Sequence, residues 1–504
     1  MRLKSLLLLS ALLVFTTTAC KSKPKQPEVT AQPVQAENDM PAPNNEAKTD
    51  NFDLPQIPPA KLFQHVIPEE FKLDNGITVW YVHNPMIPLM SFKVVFDQGA
   101  SADPANLAGR SNLAAAMLTE GAGGRTAQEL SDDIEFIGAS LSPYVTHDAA
   151  SITLQVMTQF FGRGLDLLSE VWLKPDFKQD AFDRIKNIML NSLKRREDSP
   201  NDVSKLAAGT AFYGDAHPYS RSTIGYINTV SAVSVDDVKA AYQDIFSPGR
   251  AAFIAVGNME TASFKAMLNE RFGKLPVEAP KNSDDAFPAE PEHKRALVIV
   301  DKPNAPQTVI RIYQPGVTAP SLKTLSWQFV NISFGGSFTS RLNQNIREDK
   351  GFSYGASSFV FPQKHSGIFI SSSSVETSVT GAALKEFISE LSRLPKGDFT
   401  QEEFERARET WKSELVQSFE TQSGVLATIS GLYLNKKPVN AINDFARQLQ
   451  TTMLDDFNGF AREFPTLDQA TITLVGDKTA ILEQIKDLDL PEPVFYNVEG
   501  KAIE

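Results

Sequence analysis

The residue types that most often carry catalysis are sparse in this 504-residue chain. Its six histidines are His65, His83, His147, His217, His293 and His365. No two of them are four residues apart, so no helical turn presents two imidazoles to one zinc ion. The single cysteine of the chain, Cys20, stands near the N-terminus, where it is not expected to act as a catalytic nucleophile. We interpret the isolated histidines as surface or packing residues, and His217, which precedes Pro218, as structural.

The N-terminal segment predicts export. Arg2 and Lys4 precede the apolar run LLLLSALLVF, and the small residues of TTTAC end at Cys20. At about 1.5 Å per residue that run is too short to cross a bilayer. The TTAC box resembles a lipoprotein signal, which implies a signal peptide over 1–19 and a lipid anchor on Cys20. The expected location is the bacterial cell envelope, facing the periplasm and held in the outer membrane; the alternative is a soluble secreted protein.

Composition excludes some function classes and divides the chain. A formal net charge of −12 argues against nucleic-acid binding, which requires clustered Lys and Arg. A single cysteine cannot form a disulfide within the chain, so the fold depends on its apolar core. Residues 20–60 are rich in Pro, Ala and Asn with few large apolar side chains, which predicts a disordered tether.

The pattern after residue 60 predicts alternating strands and helices. Asn75-Gly76 precedes the strand-like ITVWYV, and helical periodicity runs from Leu107 to Leu118. A long amphipathic helix, DAFDRIKNIMLNSLKRRED, ends before Pro200. In the second part of the chain, SRLNQNIRED predicts a helix that stops at Gly351, followed by a strand that begins at Tyr354.

Two parts of the chain repeat the same order of elements. PDFKQDAFDRIK (175–186) matches GDFTQEEFERAR (397–408), and AAFIAVGN (251–258) matches ATITLVGD (470–477). VDDVKAAYQDIF and LDDFNGFAREF occupy corresponding places before the second match. This ordered agreement predicts a duplicated α+β unit. We expect domains at 61–275 and 295–490, a linker at 276–294 and a C-terminal tail at 491–504.

The sequence resembles the pitrilysin/insulinase family of zinc peptidases, the inverzincins. The resemblance lies in LDNGITVWYV, GASADPANLAG, EDSP and HPYSRSTIG, and it extends over about residues 62–490. It implies an α+β fold of two tandem homologous α/β sandwich domains, each a mixed, largely antiparallel sheet flanked by helices. The family carries H-x-x-E-H on a helix, where two histidines bind zinc and the glutamate acts as the general base.

That zinc motif is missing. Aligned on Gly109 and Gly121, the two histidine positions fall on Asn112 and Ala116, and the glutamate position falls on Ala115. The family's distal glutamate ligand corresponds to Asn191 or Ser192. Catalytic zinc needs three protein ligands with N, S or carboxylate donors, and an alanine methyl group has no lone pair. We therefore predict no metal and no cofactor on this chain.

A second family signature is retained, an arginine followed seven residues later by a tyrosine. Here these are Arg347 and Tyr354, framed by Gly335-Gly336 and Gly351. The resemblance implies that they bind substrate and polarise the scissile carbonyl, in the manner of an oxyanion hole. The alternative is that Arg347 caps a helix and Tyr354 belongs to the core.

Three functions follow. The first is a zinc-less subunit that is inactive alone and complements a zinc-bearing H-x-x-E-H chain as a heterodimer, with Arg347 and Tyr354 acting in trans on a peptide. The second is a non-catalytic peptide-binding or assembly subunit of an envelope complex. The third, independent peptidase activity through a rebuilt metal site, is disfavoured because the histidines are so widely spaced.

Overall fold

The structure is a computed structural model that describes residues 63–278 and 287–503. The predicted signal peptide, Cys20 and the predicted tether lie outside the described residues. The folded part, Lys61–Glu504, forms one compact unit. No helix within the described ranges is both long and apolar enough to cross a membrane.

The first half of this unit contains eight strands and eight helices among its described residues. The strands are β1 (Glu69–Lys72), β2 (Thr78–His83), β3 (Leu89–Phe96), β4 (Gly121–Ala122), β5 (Arg125–Thr126), β6 (Ser140–Val145), β7 (Ala150–Met157) and β8 (Ala251–Gly257). The helices are α1 (Arg110–Met117), α2 (Ala127–Phe136), α3 (Phe161–Leu173), α4 (Gln179–Glu197), α5 (Pro200–Tyr213), α6 (Ile227–Ala232), α7 (Val235–Ile245) and α8 (Thr261–Phe272).

The second half contains six strands and eight helices among its described residues. The strands are β9 (Ala296–Asp301), β10 (Gln307–Pro315), β11 (Ser353–Pro362), β12 (Gly367–Glu376), β13 (Thr471–Gly476) and β14 (Pro493–Tyr496). The helices are α9 (Lys323–Asn331), α10 (Arg341–Asn343), α11 (Thr380–Arg393), α12 (Gln401–Ser418), α13 (Gln422–Leu434), α14 (Ala441–Thr451), α15 (Leu454–Ala461) and α16 (Lys478–Ile485). Two π-helical segments, Ile332–Gly336 and Gln344–Asp349, continue α9 and α10.

The two six-stranded sheets have the same internal order. The first runs β1-β2-β8-β3-β7-β6, and the second, read from its other end, runs β14-β9-β13-β10-β12-β11. Five strands occupy matching places in the two sheets. The β2–β8 pair of the first sheet and the β9–β13 pair of the second are parallel. In both sheets the three strand pairs that follow are antiparallel. The mixed, largely antiparallel α+β architecture and its duplication are therefore confirmed. The halves differ at one edge, where β1 is antiparallel to its neighbour and β14 is parallel.

The halves exchange one helix each. Ser199 caps α5, which leaves the first half and packs Val203 and Ala207 on the outer face of the second sheet. Thr421 caps α13, which returns from the second half and packs Leu426 and Ile429 on the outer face of the first sheet. Each sheet is thus covered on both faces, which explains why nearly every residue of β8 and β13 is buried.

Several local predictions are confirmed and two details differ. Gly76 and Gly351 have φ of +92° and +65°, as their turn and helix-end positions require. Helix α1 begins at Arg110 and not at Leu107, because Gly109 has a φ of +98° and interrupts the helical backbone. In the segment predicted as a tail, residues 493–496 form β14 on the second sheet.

Candidate functional site

Helix α1, which carries the zinc-motif positions, is held firmly at its N-terminus. The buried carboxylate of Asp103 accepts hydrogen bonds from the backbone N–H groups of Gly109 and Ser111, at 3.1 and 3.3 Å, and from the Ser111 hydroxyl. It also pairs with Arg110 Nε at 3.2 Å. Burial raises the pKa of Asp103, although these hydrogen bonds and Arg110 act in the opposite direction. The helix therefore keeps a defined position without a metal.

The zinc-motif positions do not fit zinc. The Asn112 side-chain amide donates to the Thr223 carbonyl at 2.7 Å, so this side chain connects α1 to the loop between α5 and α6. Ala115 is buried and Ala116 is half-buried, and neither has a donor atom. On α4, Asn191 is exposed and Ser192 half-buried. Among the described residues, no group of three or more His, Cys, Asp or Glu side chains is arranged to hold a metal ion.

Arg347 and Tyr354 lie on either side of the Gly351 turn. The Arg347 guanidinium sits over the Phe338 ring, 4.4 Å from its centroid, and its Nε is 3.2 Å from Glu348. Tyr354 is the second residue of β11 and is 93% exposed. It borders an open depression of about 700 Å³ that also involves Gln307 and Glu376.

The structure thus places both side chains at one end of the second sheet without joining them directly. Arg347 does not line the depression beside Tyr354. The pairing of β11 with β12 is irregular between Ser353 and Ala356, so the strand is locally distorted just where Tyr354 emerges. The exposure of Tyr354 rules out the alternative in which it is a core residue. The stacking of Arg347 on Phe338 holds the guanidinium near the surface, with 37% of the Arg347 side chain exposed.

Four of the six histidines meet where the two halves join, which their sequence spacing did not indicate. His217 stacks on Tyr213 and His293 on Phe212, with ring centroids 4.7 and 3.9 Å apart. His365 stacks on Phe287 at 4.0 Å, and His147 meets the edge of Tyr219 at 5.5 Å. No local signal in the sequence could have found this cluster, because its members come from four separate segments.

Polar contacts complete the histidine cluster. Tyr219 donates to Asp148, whose other oxygen accepts the Lys364 N–H at 2.9 Å. Ser366 donates to Glu290 at 2.8 Å, and the same Glu290 oxygen is 3.0 Å from His293 Nε2. Burial lowers the pKa of His217 to about 4 and also lowers that of His147. Packed and satisfied in this way, the cluster fastens the halves together, as expected for structural histidines.

Comparison with known families assigns the chain. The model described as "Insulinase (Peptidase family M16)" matches residues 78–225, and the model described as "Peptidase M16 inactive domain" matches residues 232–410. Together they cover more than half of the chain. The chain belongs to the M16 family of peptidases. The resemblance to the pitrilysin/insulinase family is thereby confirmed. The two consecutive matches also agree with the duplicated fold.

Individual M16 relatives are distant but extend over most of the chain. The "Uncharacterized zinc protease YmxG" of Bacillus subtilis is 23% identical over 407 residues, which are 80% of this chain and 97% of the relative. The "Non-peptidase homolog YmxG" of Helicobacter pylori is 22% identical over 409 residues, 80% of this chain and 92% of the relative. The relatives of this chain thus include one named as a zinc protease and one named as a non-peptidase homologue.

Two solved structures share the fold. A "peptidase M16 inactive domain" from Pseudomonas fluorescens superposes with a TM-score of 0.77 and 22% identity, over 82% of this chain and 99% of that one. A "protease from Helicobacter pylori" superposes with a TM-score of 0.76 and 18% identity, over 82% and 100%. With the alanines and asparagine at its zinc-motif positions, the chain is an inactive M16 peptidase-like homologue.

Proposed function

We propose that this chain is the zinc-less subunit of a two-chain M16 peptidase. Its partner would be an M16 chain with an intact H-x-x-E-H helix, and the substrate a peptide bound between the two. One observation carries the proposal: Tyr354 is 93% exposed at the start of β11, beside the depression near Gln307 and Glu376. An aromatic side chain that contributes nothing to its own core has its hydroxyl available for another molecule.

The chemistry of this subunit is hydrogen-bond donation. The partner's zinc, when bound, would supply a Lewis acid and an activated water. The Tyr354 hydroxyl and the Arg347 guanidinium would donate to the oxygen of the scissile carbonyl, where negative charge develops as it becomes tetrahedral. Arg347 stacks on Phe338 and pairs with Glu348, so its orientation is largely set before substrate arrives.

Two edge strands, β11 and β6, offer few free backbone groups to a peptide, which favours a peptide bound mainly on the partner. Along edge strand β11, the Ala356 N–H donates to Asn343 and the Ser358 carbonyl accepts from Asn331, at 3.2 and 2.9 Å. Along edge strand β6, Pro143 has no N–H to donate. Because an added strand needs free backbone groups, both edges are poor templates. This chain would therefore contribute side chains, and the partner's sheet would hold the peptide backbone.

The proposal extends to location. Cys20 lies outside the described residues, so support for the lipid anchor comes only from the TTAC box and the basic and apolar segments before it. An anchored Cys20 and the Pro-rich residues after it would place the peptidase pair in the periplasm, near the membrane surface.

The test is reconstitution. The purified chain, alone and mixed with an M16 chain that carries H-x-x-E-H, is assayed on fluorogenic peptides; the neighbouring coding sequence is the first place to seek that partner. We expect no hydrolysis alone and zinc-dependent hydrolysis after mixing. Tyr354→Phe should lower kcat of the mixture by about 10²-fold, the usual effect of losing one oxyanion donor, and Arg347→Ala by at least as much.

Matched controls separate this role from general damage. Tyr144→Phe changes another exposed tyrosine, 65% exposed on edge strand β6, and Arg406→Ala removes an exposed arginine that pairs with Glu402 on α12. Both should leave the activity of the mixture unchanged. Full activity in Tyr354→Phe and Arg347→Ala, or hydrolysis by the chain alone, would contradict the proposal.

A second function is favoured by one contact. Phe338 is 63% exposed, and Arg347 covers it instead of extending freely into solvent. An exposed aromatic ring with an arginine stacked on it is typical of a binding hot spot, as in a non-catalytic assembly subunit. Cross-linking in the native envelope distinguishes the two: a captured partner with H-x-x-E-H supports the peptidase, and capture only of partners without it supports the assembly role.

A further inference from the structure

A cavity of about 510 Å³ lies between the two halves of the chain. One wall comes from the end of α4, from α5 and from the loop at 219–224, and the other comes from β10, β11 and β12. The cavity borders α1, because Thr223, which accepts the Asn112 hydrogen bond, is one of its lining residues. Its size is sufficient for a small organic molecule.

The charge of this cavity is opposite to that of the protein. Its lining contains the cations Arg196, Lys205, Arg221 and Arg311 and a single carboxylate, Asp202. The whole chain has a formal net charge of −12. Clustered cations in a concave site with one counter-charge create a local positive potential that attracts anions.

The most buried of these cations has no carboxylate partner among the described residues. Arg311 is only 7% exposed, and its guanidinium donates to the neutral oxygens of Ser204 and Asn201 at 2.8 and 2.6 Å. Burial lowers the pKa of Arg311, and Tyr313 and then the charge of Asp202 oppose this only in part. A desolvated guanidinium held by neutral groups keeps most of its attraction for an incoming anion.

Arg196 and Arg221 are bound in the same manner. Arg196 donates to the Ser222 hydroxyl at 2.8 Å and to the Gly225 carbonyl at 3.0 Å, and Arg221 reaches the Ser101 carbonyl at 3.4 Å. In the part of the chain that the structure describes, neither forms an ion pair, and neither Nε finds an acceptor. Carboxylates act on these two guanidinium groups only from beyond ion-pair distance among the described residues: Asp202, Glu197 and Glu499 on Arg196, and Asp103 on Arg221.

Part of the second wall, on the β11–β12 hairpin, is apolar. Phe361, Ile368 and Ile370 project from the β11–β12 hairpin, and Leu206 and Ile224 close the sides. Phe361 remains 49% exposed although it faces this cavity. A site that combines several guanidinium groups with a separate patch of aliphatic and aromatic groups matches a ligand with a charged end and an apolar body.

We propose that this cavity binds a small organic anion, an oxyanion of the carboxylate or phosphate type joined to an apolar group. The guanidinium groups of Arg196, Arg221 and Arg311 and the Lys205 ammonium receive the oxyanion, and Phe361 and its neighbours cover the apolar body. The site lies within one chain, so it requires neither a partner nor the proposed peptidase activity.

Calorimetric titration of the full chain tests both parts of this site. The probes are octanoate, octyl phosphate, the neutral octanamide, and inorganic phosphate, which has charge but no apolar body. We expect at least one of the two octyl anions to bind tenfold or more tightly than octanamide and inorganic phosphate. The tighter of the two identifies carboxylate or phosphate as the preferred oxyanion. Equal binding of octanamide or inorganic phosphate would overturn the proposal.

Variants at exposed positions keep the test independent of folding. Lys205→Glu reverses one cavity charge and breaks the i,i+3 pair with Asp202, and Lys239→Glu makes the same change in the Lys239–Asp236 pair on α7, outside the cavity. We expect Lys205→Glu to weaken binding of the octyl anion by about tenfold and Lys239→Glu to leave it unchanged. Equal effects of the two would overturn the proposal.

The apolar wall has its own matched pair. Phe361→Ala should weaken binding of the octyl anion by several-fold, because the substitution removes the exposed ring that faces the cavity. Phe359→Ala, which removes a 55% exposed ring from the same strand but outside the lining, should have no effect. Thermal unfolding of each variant verifies that it is folded. Unchanged affinity in folded Phe361→Ala would contradict the assigned apolar wall.

Discussion

At the scale of single residues, His217 shows how a titratable group can serve structure. Its Nδ1 accepts the Tyr219 N–H at 3.1 Å, and its ring stacks on Tyr213. Nδ1 must be unprotonated to accept that hydrogen bond. Burial lowers the pKa of His217 to about 4, Glu290 opposes the shift, and Arg221, His365 and His147 add to it. The residue is therefore neutral in the folded protein at pH 7.

This neutrality predicts acid sensitivity. An unfolded histidine binds a proton near pH 6.5, but folded His217 resists protonation down to about pH 4, so the unfolded chain takes up more protons in between. Stability should therefore be complete above pH 6.5 and fall as the pH drops towards 4. His217→Asn, whose Oδ1 can still accept from Tyr219, should remove about 1–3 kcal/mol of this loss. Urea unfolding at pH 7, 6, 5 and 4 measures it.

Other groups in the cluster shift the same curve in the same direction. Burial alone would raise the pKa of Glu290, but hydrogen bonds from His293 and Ser366 lower it below its ordinary value, so Glu290 too loses stabilisation on acidification. Some pH dependence should thus remain in His217→Asn. A variant with the full pH dependence of the parent protein would show that His217 does not titrate between pH 6.5 and 4.

Single residues differ in how far their roles could be predicted. The positive φ of Gly351 followed from its place after a helix, and the loss of zinc ligands followed from the side-chain chemistry of Ala115, Ala116 and Asn112. The histidine cluster could not be predicted, because burial and stacking depend on segments far apart in the chain. Arg347 and Tyr354 were recognised by resemblance alone, and their separate surroundings became visible only in the structure.

At the scale of elements, α1 depends on one glycine. Gly109 has a φ of +98°, and a Cβ added there would lie 2.8 Å from the Ile224 carbonyl oxygen. The helix that contains the zinc-motif positions is thus packed directly against the loop that leads into the cavity between the halves. Helical periodicity predicted α1 but placed its start three residues early, because periodicity does not report the backbone conformation that a glycine adopts.

Gly109→Ala should accordingly destabilise the protein by roughly 2–5 kcal/mol, from backbone strain and from the clash with Ile224. Gly124→Ala is the matched control, since Gly124 has a φ of +85° but nothing within 4 Å of the added Cβ. Gly124→Ala should destabilise the protein by only about 1–2 kcal/mol, the contribution of backbone strain alone. The midpoints of urea unfolding compare the two. Equal losses would mean that the contact between α1 and Ile224 is not tight.

At the scale of the whole molecule, the exchanged helices make two similar halves into one body. The outer face of the first sheet, including Trp80, Val95 and Ile254, is covered by α13 of the second half. The outer face of the second sheet, including Val298 and Val309, is covered by α5 of the first. The sequence of α13 is rich in apolar residues, which is typical of a buried helix, but no local pattern specifies which sheet buries it. Duplication was predictable, and the exchange was not.

The exchange predicts that neither half folds alone. Residues 61–275 expressed separately would expose the β2, β3 and β8 face that α13 covers, and residues 276–504 would expose the face that α5 covers. Each should lack a cooperative thermal transition and should aggregate, because a large apolar surface meets water. Co-expressed halves should associate, since each supplies the helix that the other needs, and should unfold in one transition measured by circular dichroism. A cooperative transition in either half alone would show that its sheet is stable without the exchanged helix.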